Sequence, residues 1–98
     1  MVRIRWTYQA RDDLKSIAEY ISRDSIRYAR LQVHRIRNRT GLLKRNPQAG
    51  REVPELKEPG IRELIEGNYR IIYKIVTKSR IDILTIHHSA RDLTRRTI

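Results

Sequence analysis

The chain has 98 residues and no cysteine, and its 22 Lys and Arg against 11 Asp and Glu give a net charge of +11. This length fits one domain, residues 1–98, and the lack of cysteine excludes disulfides and thiolate metal sites. No apolar stretch approaches the roughly 20 residues that cross a bilayer, and no signal-peptide core is present, so we expect a cytoplasmic protein without a membrane partner. The charge favours nucleic acid, ribosomal RNA or an acidic protein segment as partner, although a solvated basic surface is the simpler interpretation.

The chain begins with a predicted strand that leads into a helix. Residues 2–6 alternate apolar and basic side chains, which is typical of a strand with one buried face. Thr7 is the predicted N-cap of a helix, because apolar side chains then recur every three or four positions. Asp12 and Asp13 are predicted in its first turn, where negative charge suits the helix dipole.

A second amphipathic helix is predicted from the N-cap Ser25 to about residue 45, and it should pair with the first as an antiparallel hairpin. Its apolar positions, predicted to face inward, are Ile26, Ala29, Val33, Ile36, Thr40 and Leu43. Its opposite face carries Arg27, Arg30, His34, Arg35, Arg37 and Arg39. We interpret this basic face as solvated, with docking of an acidic partner as the alternative.

The second half of the chain predicts three strands and a short helix. Residues 46–50 break the helix, Gly50 is expected to permit a tight turn, and the following stretch to Gly60 is irregular. Strands are predicted over 61–65, 69–76 and 80–87 from their β-branched and aromatic content, separated by turns at 66–68 and 77–79. The last predicted element is a helix that Ser89 caps and that runs through Arg96, with Ala90 and Leu93 turned inward.

The element order β-α-α-β-β-β-α predicts an α+β fold. Strands that are joined by short turns should be antiparallel, so we expect a small antiparallel sheet packed on the N-terminal helical hairpin, with its other face partly open. The alternation in the central strand places Tyr69, Ile71, Tyr73 and Ile75 on the helix-packed face. Arg70 and Lys74 are thereby predicted on the open face.

The sequence offers few residues for chemistry. His87 and His88 are adjacent in a predicted strand and point to opposite faces, so they should not share a metal, and no cofactor is expected. His88 is a candidate for proton transfer, with an ordinary strand-end histidine as the alternative. Arg70 and Arg91 are the best candidates for phosphate contact, because the planar guanidinium donates paired hydrogen bonds. The alternatives are an ion pair of Arg70 with Glu63 or Glu66, and an exposed charge at Arg91.

The ordered set of motifs resembles the RelE/ParE superfamily of bacterial type II toxins, on its ParE side. The segments that carry the resemblance are 4–7, 13–17, 46–51, 53–55, 67–73 and 88–93. The resemblance implies a cognate acidic antitoxin as partner, with operator DNA bound only through the toxin–antitoxin complex. It also implies one of two activities, poisoning of DNA gyrase or ribosome-dependent cleavage of mRNA.

RNA-cleaving members of the superfamily are known for strand lysines, two arginines and a C-terminal tyrosine or histidine. Arg70 matches the first arginine and Arg91 can match the second. The strand over 61–65 has no lysine, however, and no tyrosine follows Tyr73. An RNase would need a group that activates the ribose hydroxyl, and His88 is the obvious candidate.

The lack of the strand lysines and of the C-terminal tyrosine of RNA-cleaving members favours a gyrase-inhibiting toxin that is not itself an enzyme. The basic residues expected to contact the target or its phosphates are Arg62, Arg70, Lys74, Arg91, Arg95 and Arg96. The alternative is an endoribonuclease that acts on the ribosome and mRNA through Arg70, His88 and Arg91. A third interpretation is a member of the family that binds its antitoxin without strong toxicity.

Overall fold

The predicted strand, helical hairpin and three following strands all form in the computed structural model, which describes residues 2–89. The elements are β1 (Arg3–Trp6), α1 (Tyr8–Ser22), α2 (Ile26–Gly41), a 3-10 turn (Leu42–Lys44), β2 (Arg51–Glu52), β3 (Ile61–Glu66), β4 (Tyr69–Thr77) and β5 (Arg80–His88). The predicted C-terminal helix lies outside the described residues. Within those residues, neither helix combines the length and the apolar character that crossing a membrane requires.

The fold is α+β, as predicted, and its sheet has the strand order β1-β5-β4-β3-β2. The β2–β3, β3–β4 and β4–β5 pairs are antiparallel, but β1 runs parallel to β5. The sheet is therefore mixed rather than wholly antiparallel, because alternation in β1 predicts a strand without predicting its neighbour or its direction. The two-residue β2 was not predicted either, since so short a strand has no periodicity to detect.

Both predicted N-caps begin their helices. The Thr7 hydroxyl accepts a hydrogen bond from the amide of Ala10 at 3.1 Å, and the Ser25 hydroxyl accepts one from the amide of Tyr28 at 3.0 Å. The predicted role of Asp12 and Asp13 in the first turn is wrong, because α1 begins at Tyr8 and its first turn contains no acidic residue.

Asp13 instead ties α1 to the sheet. One of its carboxylate oxygens accepts hydrogen bonds from the hydroxyl of Thr85 and, at 3.0 Å, from the amide of Ile86, both on β5. This contact joins residues more than 70 positions apart. It lies at a β-bulge, where Leu84 is the extra residue between the pairs Ile72–Thr85 and Tyr73–Ile83.

The main core lies between the helical hairpin and one face of the sheet, here called the helix-packed face. Its buried members are Ala10, Leu14, Ile36, Leu43, Leu64, Ile71, Tyr73, Ile81, Ile83 and Ile86. The burial of Ala10 and Leu14, four positions apart, agrees with the apolar period predicted for the first helix, and the predicted helix-packed face of β4 is confirmed. The predicted burial of Ile26 is wrong: it is 63% exposed and lines a groove between the helices instead. The helix also ends at Gly41, and the 3-10 turn completes the predicted span.

The opposite face of the sheet, here called the far face, carries a smaller apolar cluster. Val53, Ile61 and Ile72 are buried there, with Leu56 and Leu84 packed against them. The irregular segment after β2 thus covers one end of this face. Among the described residues, the other end is partly open, as the sequence predicted.

Gly50 matters for close packing and not for a tight turn. Glycines with positive φ are Gly60 and Gly67, the latter in the turn between β3 and β4. A Cβ atom on Gly50 would lie 2.5 Å from the carbonyl oxygen of Glu63 and 2.7 Å from the Tyr73 ring. Only hydrogen fits in that space.

Candidate functional site

Arg70 is the candidate that was predicted to contact phosphate, and the structure buries it in an ion pair. It lies near the start of β4 on the far face and is only 6% exposed. Its Nε donates to Glu63 at 2.7 Å, while Nη1 and Nη2 donate to the two oxygens of Glu55 at 2.5 and 2.8 Å. The pairing with Glu63 confirms the alternative interpretation of this arginine. Glu55, in the irregular segment, was not predicted as a partner.

The two carboxylates change the chemistry of this guanidinium. The hydrogen bond to Glu55, followed by that to Glu63, raises the pKa of Arg70 against the lowering effect of burial. The side chain of Glu63 is fully buried, and Arg51 also donates to it, from Nε at 2.7 Å. A phosphate could approach Arg70 only by displacing carboxylates that already satisfy its donors, which would leave Glu63 as a poorly compensated buried charge.

Arg62 does not lie with Arg70. It is on the helix-packed side of β3, opposite Tyr73 in the register, and its Nη1 donates to the carbonyl of Gly50 at 2.7 Å. Lys74 is on the far face but four residues along β4 from Arg70, which corresponds to about 13 Å. The three described candidates for target contact, Arg62, Arg70 and Lys74, therefore do not form one site.

The histidines are separated by the sheet. His88 lies opposite Tyr69, and their rings meet edge to face with centroids 5.8 Å apart. His87 is buried opposite Arg70, on the far face. The proton-transfer candidate and the phosphate candidate thus lie on opposite faces. Arg91, Arg95 and Arg96 lie outside the described residues. Among residues 2–89, no three side chains of His, Asp or Glu are grouped as a metal site requires.

Tyr73 organises the loop between the helices and the sheet. It is buried beneath the loop, and its hydroxyl donates to the carbonyl of Pro47 at 2.8 Å and accepts from the amide of Gly50 at 2.9 Å. Burial raises the pKa of Tyr73 above its ordinary value, while the hydrogen bond from Gly50 acts in the opposite direction. Its hydroxyl is therefore a structural group rather than an acid for catalysis near neutral pH.

A groove that sequence analysis did not find runs along the helical hairpin and the edge strand β1. It has a volume of about 750 Å³. Its apolar lining consists of Ile4, Trp6, Leu14, Ala18 and Val33. Its charged lining consists of Arg11, Lys15, Arg37 and Lys44. The described lining residues include no carboxylate, so the groove combines an apolar floor with a basic rim.

A second groove, of about 450 Å³, shares Ala18, Val33 and Arg37 with the first and continues it along the hairpin. Arg37, which lines both grooves, and Arg30 and His34, which line the second, belong to the face whose alternative interpretation was docking of an acidic partner. Val33 was predicted on the apolar, inward face of α2, and its spacing alone does not indicate a groove. The groove depends on how α1, α2 and β1 meet, which the periodicity of one helix does not contain.

The sequence profile of the ParE toxin of the type II toxin–antitoxin system parDE matches residues 4–93. The chain belongs to the ParE toxin family. It is thus a type II toxin, as the resemblance of its motifs predicted. Comparison with curated protein sequences gives no match.

Solved structures agree with membership of the ParE family. The chromosomal ParDE toxin–antitoxin system from P. aeruginosa contains a chain that is 26% identical, with a TM-score of 0.73, over 90% of this chain and 96% of that one. A chain of the RelBE2 toxin–antitoxin complex from Mycobacterium tuberculosis is 24% identical, with a TM-score of 0.57, over 89% of this chain and 96% of that one. The YoeB/ParE toxin from Agrobacterium tumefaciens is 22% identical, with a TM-score of 0.58, over 89% and 98%. The last two similarities establish the shared fold alone.

Proposed function

We propose that this ParE-family toxin inhibits DNA gyrase by binding to it, that it is not an enzyme, and that a cognate antitoxin neutralises it. Gyrase inhibition is the activity associated with the ParE side of the superfamily. The ion pairing of Arg70 with Glu55 and Glu63 is the observation that favours gyrase inhibition over RNA cleavage. An RNase would need an accessible cation at this position to stabilise charge on phosphorus.

The histidine geometry supports the same choice. Proton transfer and charge stabilisation must act on the same phosphodiester, so their groups must lie within hydrogen-bonding reach of one substrate. His88 and Arg70 lie on opposite faces of β4 and β5. Inhibition by binding requires no such convergence, since a surface that fits the target is enough.

The groove supports the antitoxin as partner. A basic rim around an apolar floor fits an acidic amphipathic segment, whose apolar residues fill the floor while its carboxylates meet the rim. The similar chains from P. aeruginosa and M. tuberculosis belong to systems that contain antitoxins. The cognate antitoxin of this chain would place such a segment in the groove. Operator DNA would be contacted by the toxin–antitoxin complex.

The test is DNA supercoiling by purified gyrase, titrated with the toxin freed of its antitoxin. We expect loss of supercoiling with accumulation of cleaved DNA, and restoration of activity when the cognate antitoxin is added. A parallel assay follows mRNA cleavage on translating ribosomes. Unaffected gyrase together with mRNA cleavage by the same folded sample would contradict the proposal and assign the toxin to the ribonuclease class.

A further inference from the structure

We propose that the end of the far face that the irregular segment leaves open binds the phosphate backbone of duplex DNA. The surface, here called the basic patch, consists of Arg3 and Arg5 on β1, Lys74 on β4 and Arg80 on β5, with Asp82 among them. The inference goes beyond gyrase inhibition, because a gyrase inhibitor can act through protein contacts alone. It is also testable without gyrase.

The strand register places these residues on one surface. Arg3 lies opposite Arg80, and Arg5 lies opposite Asp82, which in turn lies opposite Lys74. Their neighbours Ile4 and Ile81 pack into the helix-packed core, so the charged side chains emerge on the far face. The Cα atoms of the four basic residues span three adjacent strands, about 10 Å across the sheet, and two residues along a strand, about 7 Å.

The charge of the patch is largely uncompensated. Arg80 pairs with Asp82 at 3.2 Å, and its side chain remains 42% exposed. Arg3 and Arg5 are exposed, and within residues 2–89 no carboxylate lies within ion-pairing distance of Arg3, Arg5 or Lys74. Four cations and one carboxylate leave a local charge of +3.

The opposite end of the same face is electrically different. There the guanidinium groups of Arg70 and Arg51 are matched by Glu55 and Glu63, and the irregular segment covers the apolar cluster. The free positive charge of the far face is thus concentrated on β1, β5 and β4, at the end that no loop within residues 2–89 covers. This asymmetry distinguishes the patch from a uniformly basic surface.

The patch fits a phosphate backbone better than it fits a protein. Stable protein interfaces are centred on buried apolar anchors, whereas phosphate contacts need only accessible cations. The groove beside the helices has apolar anchors, but the patch is built from charged side chains. Alternate residues on β1 are about 6.6 Å apart. Phosphates of one DNA strand follow one another at an axial rise of about 3.4 Å, so Arg3 and Arg5 can meet successive phosphates of the same strand.

The experiment measures binding of the free toxin to a fluorescent 20-base-pair duplex by anisotropy, over a series of salt concentrations. The double variant Arg3→Ala/Arg5→Ala is compared with Arg27→Ala/Arg35→Ala, which removes the same charge from the exposed surface of α2. We expect Kd of the patch variant to rise about tenfold and its salt slope to fall by about two. The control variant should stay within about threefold of the wild type. Circular dichroism and thermal unfolding establish that both variants fold.

Three outcomes would overturn the proposal. Equal losses in the two variants would mean that net charge alone drives binding. An RNA hairpin bound more tightly than the duplex, with the same dependence on Arg3 and Arg5, would assign the patch to RNA. A polyglutamate peptide that binds more tightly than the duplex and loses affinity in the patch variant would assign it to an acidic protein. Failure of gyrase inhibition would leave this result untouched, since the assay contains no gyrase.

Discussion

Glu55 and Arg70 are joined by two parallel hydrogen bonds of 2.5 and 2.8 Å across a separation of 15 residues. This contact attaches the irregular segment after β2 to the start of β4. It also neutralises the charge of Arg70, the arginine that a ribonuclease of this superfamily would expose. A single interaction therefore stabilises the loop and occupies the guanidinium of Arg70, which catalysis would require to be free.

The first prediction concerns the stability of this cluster. Arg70→Met should lower the free energy of unfolding by about 3 kcal/mol, because the buried Glu63 loses a counter-charge and keeps only Arg51. The double variant Arg70→Met/Glu63→Met should recover most of the loss, since no buried charge remains. Urea unfolding measures both. A single variant within about 1 kcal/mol of the wild type would contradict a structural role for this ion pair.

The second prediction uses two glycines. Gly50→Ala should destabilise the protein by about 2–4 kcal/mol, because the new methyl group meets the backbone of Glu63 and the ring of Tyr73. Gly41→Ala is the matched control. A Cβ at this last residue of α2 has nothing within 4 Å, so it should stabilise the protein by about 0.5–1 kcal/mol. Thermal or urea unfolding measures both variants. An equal change in their stability would contradict close packing at Gly50.

The third prediction concerns alkaline pH. Burial raises the folded-state pKa of Tyr73 above 10.0, so the unfolded chain loses the phenolic proton first as pH rises. The contribution of this tyrosine is complete below pH 10 and should be lost as pH passes through the raised folded-state value. Denaturant unfolding from pH 8 to 11 should show this decline.

Tyr73→Phe separates the titration of this residue from that of the rest of the protein. Below pH 10 the variant should be less stable by about 1–3 kcal/mol, because the carbonyl of Pro47 and the amide of Gly50 lose their partner. Its decline at alkaline pH should be shallower. Tyr69, whose pKa burial also raises, remains in the variant and accounts for part of the residual slope. Identical slopes in variant and wild type would refute the assignment to Tyr73.

The fourth prediction tests the groove as the antitoxin site. Lys15→Glu/Arg37→Glu reverses two charges of the rim and should weaken binding of the cognate antitoxin by about 10- to 100-fold, mainly at low salt. Arg27→Glu/Arg35→Glu changes the net charge equally without altering the groove lining. Calorimetry on the two folded variants compares them. If the control lost as much affinity as the groove variant, overall charge rather than the groove would determine binding.

Most of the fold could be predicted because its signals are local. Thr7 and Ser25 cap their helices with their own hydroxyls, and the apolar periods of α1 and β4 identify their buried faces. The misplaced residues have equally definite causes. Ile26 follows the period of α2 but lies where the two helices leave a groove, and Asp13 follows a rule for helix ends although it sits one turn further along.

The site was less predictable than the fold. The sequence placed Arg70 and Lys74 on the same face and named Glu63 as a partner of Arg70, but Glu55 belongs to a stretch without periodicity. Arg62 was grouped with Arg70 by its charge, whereas the register of β3 sends it to the helix-packed side. The groove depends on three elements at once, so no single segment contains its signal.

By itself, the sequence determined the elements of this protein, the order in which they occur and its membership of the ParE toxin family. These properties follow from side-chain spacing and from short motifs, which act over a few residues. Tertiary structure decided which charges are neutralised and which remain free. A guanidinium's availability depends on the carboxylates that folding brings within hydrogen-bonding distance, and for Arg70 the decisive carboxylate came from the loop at Glu55.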